Sequence, residues 1–198
     1  MPHSFTIGTR FRVLTPEEPP SSDGLIDLVI AKGAFGSGEH ETTASCLETM
    51  ESLPELQGAR VLDLGSGTGI LAIGALKLGA ACAVCLDINP QAVETARRNC
   101  DLNHVGDRAE HLTGVLSDLR GSDFDLVLAN IYGDLLLDLA ADLVARARPG
   151  ALLLLSGILW EYNFEVRQAF EALACTVVKN CMLAQFSTVL LRKNADRI

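Results

Sequence analysis

The sequence predicts an α/β protein built on a mostly parallel, doubly wound sheet with helices on both faces. Short apolar runs typical of buried strands alternate with segments of helical periodicity over most of the chain. A turn rich in glycine follows one such run, between Leu64 and Ile70. Near the end of the chain, residues 175–182 and 186–191 read as two strands that close the sheet as a pair.

The composition indicates a globular protein. The chain has 198 residues, of which 48% are hydrophobic, and its richest apolar run, Ala151 to Trp160, is too short to span a bilayer. The first residues, MPHSFTIGTRF, lack the basic segment and the long apolar stretch of a signal peptide. We therefore expect a cytoplasmic protein that has no membrane partner.

The net charge of −9 narrows the class of partner. A nucleic-acid backbone as the main partner would favour a basic face, so the charge argues against nucleic acid. Arg97, Arg98 and Arg108 could still form a local basic patch. A basic protein suits an acidic surface better.

The six cysteines are predicted to be free, reduced and mostly buried. Cys82 and Cys85 have the C-x-x-C spacing of a zinc or redox site, but no second pair accompanies them. They also lie in an apolar run that reads as a strand, where residues three apart point to opposite faces. We expect neither a metal site nor a disulfide.

Residues 1–31 are expected to form an N-terminal extension of strands and a loop, with the main domain over residues 32–198. Thr15 to Gly24 is polar and rich in proline, and Leu25 to Ala31 reads as a strand. The same segment could equally be an arm that follows an upstream domain.

The next stretch is a loop with three glycines, followed by a helix predicted over Ala44 to Leu53. One interpretation is a flexible connection with a helix cap. The alternative is a functional loop, because reactive and polar side chains are dense here. These side chains are Phe35, His40, Glu41, Thr42 and Thr43.

The glycine turn is the strongest sign of a ligand site. It follows the apolar strand Val61 to Leu64, and its spacing is G-x-G-x-G, whereas a dinucleotide site has G-x-G-x-x-G. Ile70 stands where the third dinucleotide glycine would fall, and Asp63 would repel a pyrophosphate. A carboxylate at this place suits a ligand that carries an ammonium group. The turn comprises Gly65, Ser66, Gly67, Thr68 and Gly69.

S-adenosylmethionine (AdoMet) carries an α-amino group, a carboxylate, a sulfonium and an adenosine. Asp63 can take its amino group while the N–H groups of the turn take its carboxylate. The stretch RVLDLGSGTGILAIGALKL resembles motif I of the class I AdoMet-dependent methyltransferases. A dinucleotide fold and a purely structural turn are the alternatives.

Two later strands also end in polar residues, at the edge where α/β sheets bind ligands. Asp87 ends the strand that begins at Ala81 and is placed to bind ribose hydroxyls, although a dinucleotide fold uses an acid in the same way. Asn130 ends the strand Phe124 to Asn130, where its amide oxygen can accept a hydrogen bond from a substrate N–H; the alternative is a helix cap. The remaining predicted elements are helices over 90–103, 133–148 and 162–173 and strands over 109–114 and 151–156.

Several blocks resemble one family in the same order along the chain. AFGSGEHETT is similar to the AFGTGxHxTT signature of the ribosomal protein L-eleven methyltransferase (PrmA) family, with Ser37 in place of threonine. VLDLGSGTGILAIGALKLGA, LDINPQAVETARRN, LVLANIYGDLL and ALLLLSGIL match further blocks, so the resemblance covers roughly residues 25–193. The resemblance begins near the end of the family's linker, so we expect the family's N-terminal recognition domain to be absent. Phe186 or Ser187 replaces a tryptophan.

The resemblance implies a Rossmann-like sheet of seven strands, AdoMet as cofactor, no metal, and a set of site residues. Gly114 and Val115 would lie along the adenine. The catalytic candidates are Asn130, Thr42 and His40. The cofactor-binding candidates are Phe35, Gly36, Thr43, Asp63, Gly65, Gly67, Thr68, Gly69, Asp87, Ile88, Gly114, Val115 and Asn130.

The expected function is AdoMet-dependent N-methylation of a protein, at lysine or N-terminal amino groups, with a ribosomal protein as a candidate substrate. The alternatives are methylation of a nucleic acid or a small-molecule amine, and a catalytically silent AdoMet-binding module. A dehydrogenase is disfavoured by the glycine spacing. The sequence predicts neither the substrate's identity nor the oligomeric state.

Overall fold

The computed structural model describes residues 4–20, 22–31 and 39–195. Ten strands and six α-helices follow one another in these ranges, with three short 3-10 turns. The strands are β1 Phe5–Ile7, β2 Phe11–Leu14, β3 Ile26–Val29, β4 Arg60–Leu64, β5 Cys82–Asp87, β6 Ala109–Thr113, β7 Phe124–Asn130, β8 Ala147–Leu159, β9 Cys175–Met182 and β10 Phe186–Lys193. The helices are α1 Glu41–Met50, α2 Ile70–Lys77, α3 Pro90–Leu102, α4 Gly133–Asp138, α5 Ala140–Arg146 and α6 Trp160–Ala172.

The main sheet has seven strands in the order β6-β5-β4-β7-β8-β10-β9, and this confirms the predicted doubly wound fold. Strands β4 to β8 are parallel, while β10 pairs antiparallel with both β8 and β9. The chain runs from β4 outward to β6 and then returns to β7 on the other side of β4. This reversal opens a crevice at the carboxyl ends of β4 and β7, where such sheets bind ligands.

Two apolar cores cover the two faces of this sheet. One contains side chains of α1, α2 and the C-terminal part of α3, and the other contains side chains of α4, α5 and α6. None of the described helices combines the length and apolar character needed to cross a bilayer. Within the described ranges, no three His, Cys, Asp or Glu side chains are grouped so as to hold a metal ion.

The structure departs from the sequence prediction between residues 133 and 156. The single helix predicted there is broken at Leu139 into α4 and α5, because Leu139 leaves the helical conformation (φ −96°, ψ 1°). Apolar periodicity hides this break, since Leu136 and Ala140 are both buried. Strand β8 also begins earlier than predicted and passes through Pro149, where the pairing with β7 shifts register.

The cysteines and the candidate basic patch can now be placed. All six cysteines are free thiols; Cys85 is buried and Cys82 half-buried on the same strand. Arg97 and Arg98 are exposed on α3. The Arg108 guanidinium donates to the carbonyls of Leu76 and Ala80 at the end of α2, so it stabilises the fold and is not free to form a patch.

The N-terminal strands form a separate three-stranded sheet that shares its core with the main domain. Strands β1 and β2 are antiparallel and β2 and β3 are parallel. Phe11 and Leu28 are fully buried in the core that also holds α1 and α2. A side chain at Gly74 of α2 would come within 2.6 Å of Leu47 and 3.7 Å of Phe11, so the three layers pack tightly.

The carboxylate of Glu51, just after α1, ties the β1–β2 turn to the main domain. It accepts hydrogen bonds from the backbone N–H groups of Thr9 and Arg10 at 3.1 and 2.9 Å, and from the Thr9 hydroxyl at 2.9 Å. These bonds join residues more than 40 positions apart, so they orient the small sheet on α1.

We expect Glu51→Ala to lower the free energy of unfolding by about 1–2 kcal/mol, because three donors lose a charged acceptor. Glu48→Ala is the matched control, since Glu48 is exposed on the same helix. Urea unfolding measures both variants. Equal losses in the two would contradict a specific role for Glu51.

Candidate functional site

The site lies where the loops after β4 and β7 touch at the crevice. Leu64 and Ala129 are register partners at the ends of these strands. A side chain at Gly65 would come within 2.6 Å of the Ile131 side chain. The two loops therefore depend on the absence of a Cβ at residue 65.

The glycine turn holds its own shape through hydrogen bonds. The N–H groups of Gly65 and Ser66 both donate to Leu86 O, and Gly69 N donates to Ser66 O at 2.7 Å. The Gly67 N–H donates to the Asp87 carboxylate at 3.0 Å. The sequence-based prediction offered these N–H groups to a ligand carboxylate, but all four already have acceptors within the protein.

Asp87 connects β5, which it ends, with the glycine turn and with the start of α3. Its carboxylate accepts from Gly67 N in the turn and from Asn89 N at 2.9 Å. Asn89 in turn caps α3, accepting from Gln91 N at 3.0 Å. Asp87 is half-buried, which leaves part of its carboxylate accessible at the crevice.

Asp63 is located inside the protein. It is only 1% exposed, and its carboxylate accepts a hydrogen bond from Ala72 N in the first turn of α2 at 3.1 Å. Burial raises the pKa of Asp63 to about 7, and the Ala72 hydrogen bond opposes that rise. In this position Asp63 supports the turn and the start of α2.

Asn130 and Thr43 meet across 87 positions of sequence. The Asn130 side-chain amide donates to the Thr43 hydroxyl at 3.4 Å. Thr43 is buried in the first turn of α1, whereas Asn130 is half-buried at the end of β7. This contact joins the block containing residues 39–43 to the polar end of the central strand.

His40 and Thr42, the other catalytic candidates, bind each other. The His40 Nδ1 lies 2.8 Å from the Thr42 hydroxyl and accepts from Thr42 N at 3.4 Å, so His40 caps α1. Its ring packs edge-on against Phe186, with centroids 5.2 Å apart. Thr42 itself is buried.

Ile88, which follows Asp87 in the chain, and Val115 are both exposed. Gly114 N donates to Asp87 O at 3.0 Å, and Val115 N donates to the Asp118 carboxylate at 3.0 Å. Thr68 is buried within the turn. The predicted cofactor residues Phe35 and Gly36 lie outside the described residues.

Glu41, which the sequence placed among the polar side chains of this loop but not among the site candidates, is a positioning residue. Its carboxylate accepts from the backbone N–H groups of Ala184 and Gln185, at 3.0 and 3.1 Å, in the β9–β10 turn. The Trp160 indole N–H donates to carbonyls of the same hairpin, Leu183 and Phe186, at 3.1 and 3.0 Å. The hairpin is therefore held against the start of α1.

Asn99 is a second positioning residue. It is fully buried on α3, where its side-chain amide donates to Thr68 O in the glycine turn at 2.9 Å and accepts from Ala31 N at 3.0 Å. Asn103, one helical turn later, accepts from Val29 N and donates to Val29 O, at 2.9 and 2.7 Å. The i, i+4 spacing of two asparagines on one helix face was the available signal.

Gly157→Ala is expected to destabilise the site through a clash. Gly157 follows Ser156 on β8 with φ +78°, and a Cβ there would lie 2.5 Å from Ile131 O. Gly58→Ala is the matched control, because Gly58 has φ +73° but open space around it. Urea unfolding should show the control losing about 1–3 kcal/mol from backbone strain and Gly157→Ala clearly more. Equal losses would rule out the clash.

The raised pKa of the buried Asp63 predicts that the free energy of unfolding falls as the pH rises. An unfolded aspartate ionises near pH ~3.9, whereas Asp63 in the folded protein ionises near 7. Between these values the folded state binds the extra proton, so stability is greatest at the acid end and levels off above the folded pKa. Asp63→Asn should remove this slope. We expect the free energy of unfolding of Asp63→Asn to rise relative to that of the wild type as the pH goes from ~5 to ~8. Parallel pH profiles of the two proteins would contradict the raised pKa of Asp63.

Comparisons with known proteins agree with this architecture. A family described as Ribosomal protein L11 methyltransferase (PrmA) matches residues 3–193. The ribosomal protein L11 methyltransferase of Pelobacter propionicus is 46% identical over 170 residues, which cover 83% of this chain and 55% of that protein. The one from Geobacter metallireducens is 43% identical over 181 residues, 90% of this chain and 59% of that protein. The chain thus spans a little over half the length of these relatives.

Solved structures give the same result. The crystal structure of ribosomal protein L11 methylase from Lactobacillus delbrueckii subsp. bulgaricus superposes with a TM-score of 0.86 at 26% identity, covering 97% of this chain and 98% of that one. An RNA methyltransferase from Salinibacter ruber in complex with S-adenosyl-L-homocysteine shares the fold, with a TM-score of 0.61 at 20% identity over 78% of this chain and 93% of that one. The chain belongs to the ribosomal protein L11 methyltransferase (PrmA) family.

Proposed function

We propose that this protein is an AdoMet-dependent N-methyltransferase that acts on amino groups of a protein, with a ribosomal protein as substrate and the cytoplasm as its compartment. The observation that carries the proposal is the contact between Asn130 and Thr43 beside the glycine turn. This contact places the Asn130 amide, whose oxygen can accept a hydrogen bond from a substrate, next to residues expected to hold the cofactor.

The residues present fit AdoMet. Asp87 offers a partly exposed carboxylate for the ribose hydroxyls, and Ile88 and Val115 offer exposed apolar surface for the adenine. The Ser66 hydroxyl in the turn is buried and has no hydrogen-bond partner among the described residues, so it is free to bind a polar ligand atom. When bound, AdoMet supplies a methyl group already activated by its sulfonium.

Asp63 contributes from inside the protein. Its pKa near 7 leaves the acid poised between its two forms at neutral pH. A cationic ligand beside the turn favours the ionised form, because opposite charges lower the pKa of a carboxyl group. Direct contact with the ligand's amino group is not required for this effect.

Asn130 is proposed to orient the methyl acceptor. Thr43 holds the amide nitrogen, which leaves the amide oxygen to accept an N–H from the incoming amine. Gly157 keeps space at that oxygen, since a Cβ there would lie 3.2 Å from it. The acceptor nitrogen then directs its lone pair at the methyl group, and positioning of this kind accounts for much of the rate in such transfers.

The amine must be neutral to react, although a free lysine has a pKa of about 10.4. Desolvation of the amine as it enters the crevice favours the neutral form. We assign His40 and Thr42 to positioning of α1, because they satisfy each other and Thr42 is buried. Methylation of nucleic acid is disfavoured by the net charge of −9.

The test separates cofactor binding from transfer. AdoMet affinity is measured by calorimetry, and single-turnover transfer from labelled AdoMet is measured with ribosomal protein L11 as acceptor. Asn130→Ala should bind AdoMet nearly as the wild type does but transfer at least roughly tenfold more slowly, about 1.4 kcal/mol. Asp87→Ala is the contrasting variant and should weaken AdoMet binding by about 1–3 kcal/mol.

Three outcomes would contradict the proposal. Absence of AdoMet binding by the wild type would remove the methyltransferase assignment altogether. A full rate in Asn130→Ala, or a defect entirely explained by weaker AdoMet binding, would remove the orienting role of Asn130.

A further inference from the structure

An exposed apolar surface borders the site and takes no part in the chemistry described above. Nine large apolar side chains are exposed among the described residues, and five of them belong to residues 131–138 and 159–165. Tyr132 is 70%, Phe164 61% and Trp160 52% exposed. We call these two segments the acidic aromatic face. Leu135 and Leu159 complete its apolar set.

The two segments form one surface that begins beside Asn130. Ile131 N donates to Ser156 O at 3.1 Å, which joins the ends of β7 and β8. A side chain at Gly133 would come within 2.9 Å of Tyr162, so α4 and α6 start against each other. The Trp160 indole is held by its two hydrogen bonds to the hairpin, and its ring is fixed in place while half of it faces solvent.

The charged side chains within the two segments are all acidic. Asp134, Asp138, Glu161 and Glu165 are all exposed, and residues 131–138 and 159–165 contain no lysine or arginine. The nearest base along the chain, Arg167, donates to Asn163 and lies over the Phe164 ring at 5.9 Å. Carboxylates around exposed aromatic rings attract cations, and they repel phosphate backbones and anionic lipid.

We propose that the acidic aromatic face binds an extended, lysine-rich segment of the protein substrate and presents one of its lysines to Asn130. This inference rests on the proposed function and specifies its acceptor. Lysine side chains fit the face in two ways: their ammonium groups pair with the carboxylates, and their methylene chains cover the rings. The face continues directly into the Asn130 loop, so a bound chain passes the site.

The chain contains a single tryptophan, and it lies on this face, so its emission reports occupancy directly. The probe is a synthetic peptide of alternating lysine and alanine, titrated into the full chain. Trp160 emission should change saturably, and the apparent affinity should fall with added salt. A peptide with glutamate in place of lysine, and a single-stranded oligonucleotide, should leave the emission unchanged.

Paired variants test the face against general electrostatics. Asp134→Asn with Glu161→Gln should weaken peptide binding at least roughly fivefold, about 1 kcal/mol. Asp107→Asn with Glu110→Gln changes the net charge equally at exposed positions on and beside β6 and should bind as the wild type does. Both pairs should retain AdoMet binding, which also shows that they fold.

Several results would overturn the inference. No response of Trp160 to the lysine peptide, or equal losses in the two paired variants, would remove the face as a docking site. Binding of the oligonucleotide in place of the peptide would assign it to nucleic acid, and an emission that changes on dilution of the protein alone would assign it to a second copy of the chain. Absence of AdoMet binding by the wild type would count against the proposed function, whereas AdoMet binding without any response to the peptide confines the failure to this face.

Discussion

The close approach of the loops after β4 and β7 to each other and to strand β8 is the constraint on which the site depends. Ile131 lies between Gly65 and Gly157, and a Cβ on either glycine would collide with it. Both glycines also have positive φ, which other residues adopt at a cost. This packing brings Asn130 beside the glycine turn and leaves room at its amide oxygen.

The start of α1 connects this centre to distant parts of the chain. The Glu41 side chain holds the β9–β10 hairpin, and the Thr43 hydroxyl contacts Asn130. At the other end of the same helix, Glu51 holds the N-terminal sheet. A short helix therefore contacts three separate elements: the antiparallel hairpin, the end of β7 and the N-terminal sheet.

Acidic groups serve opposite purposes inside and outside this crevice. Asp63 is buried and its pKa is raised to about 7, so a nearby cation shifts its ionisation at neutral pH. Asp87 bridges the turn and α3 while part of it stays accessible. The carboxylates beyond Asn130 are exposed, so they cost little to keep charged.

The sequence by itself determined the alternation of strands and helices, the glycine turn, and the placement of Asp87 and Asn130 at one edge, because parallel strands end on the same side of a sheet. The tertiary structure alone decided which donors of the turn were already used, that Asp63 lies inside, and that Leu139 interrupts a helix whose periodicity continues. It also decided the contacts of Glu41 with Gln185 and of Asn99 with Thr68, which span 144 and 31 positions. Local periodicity follows from backbone geometry and can be read along the chain, whereas the partner of a polar side chain depends on which distant backbone groups the fold brings within reach.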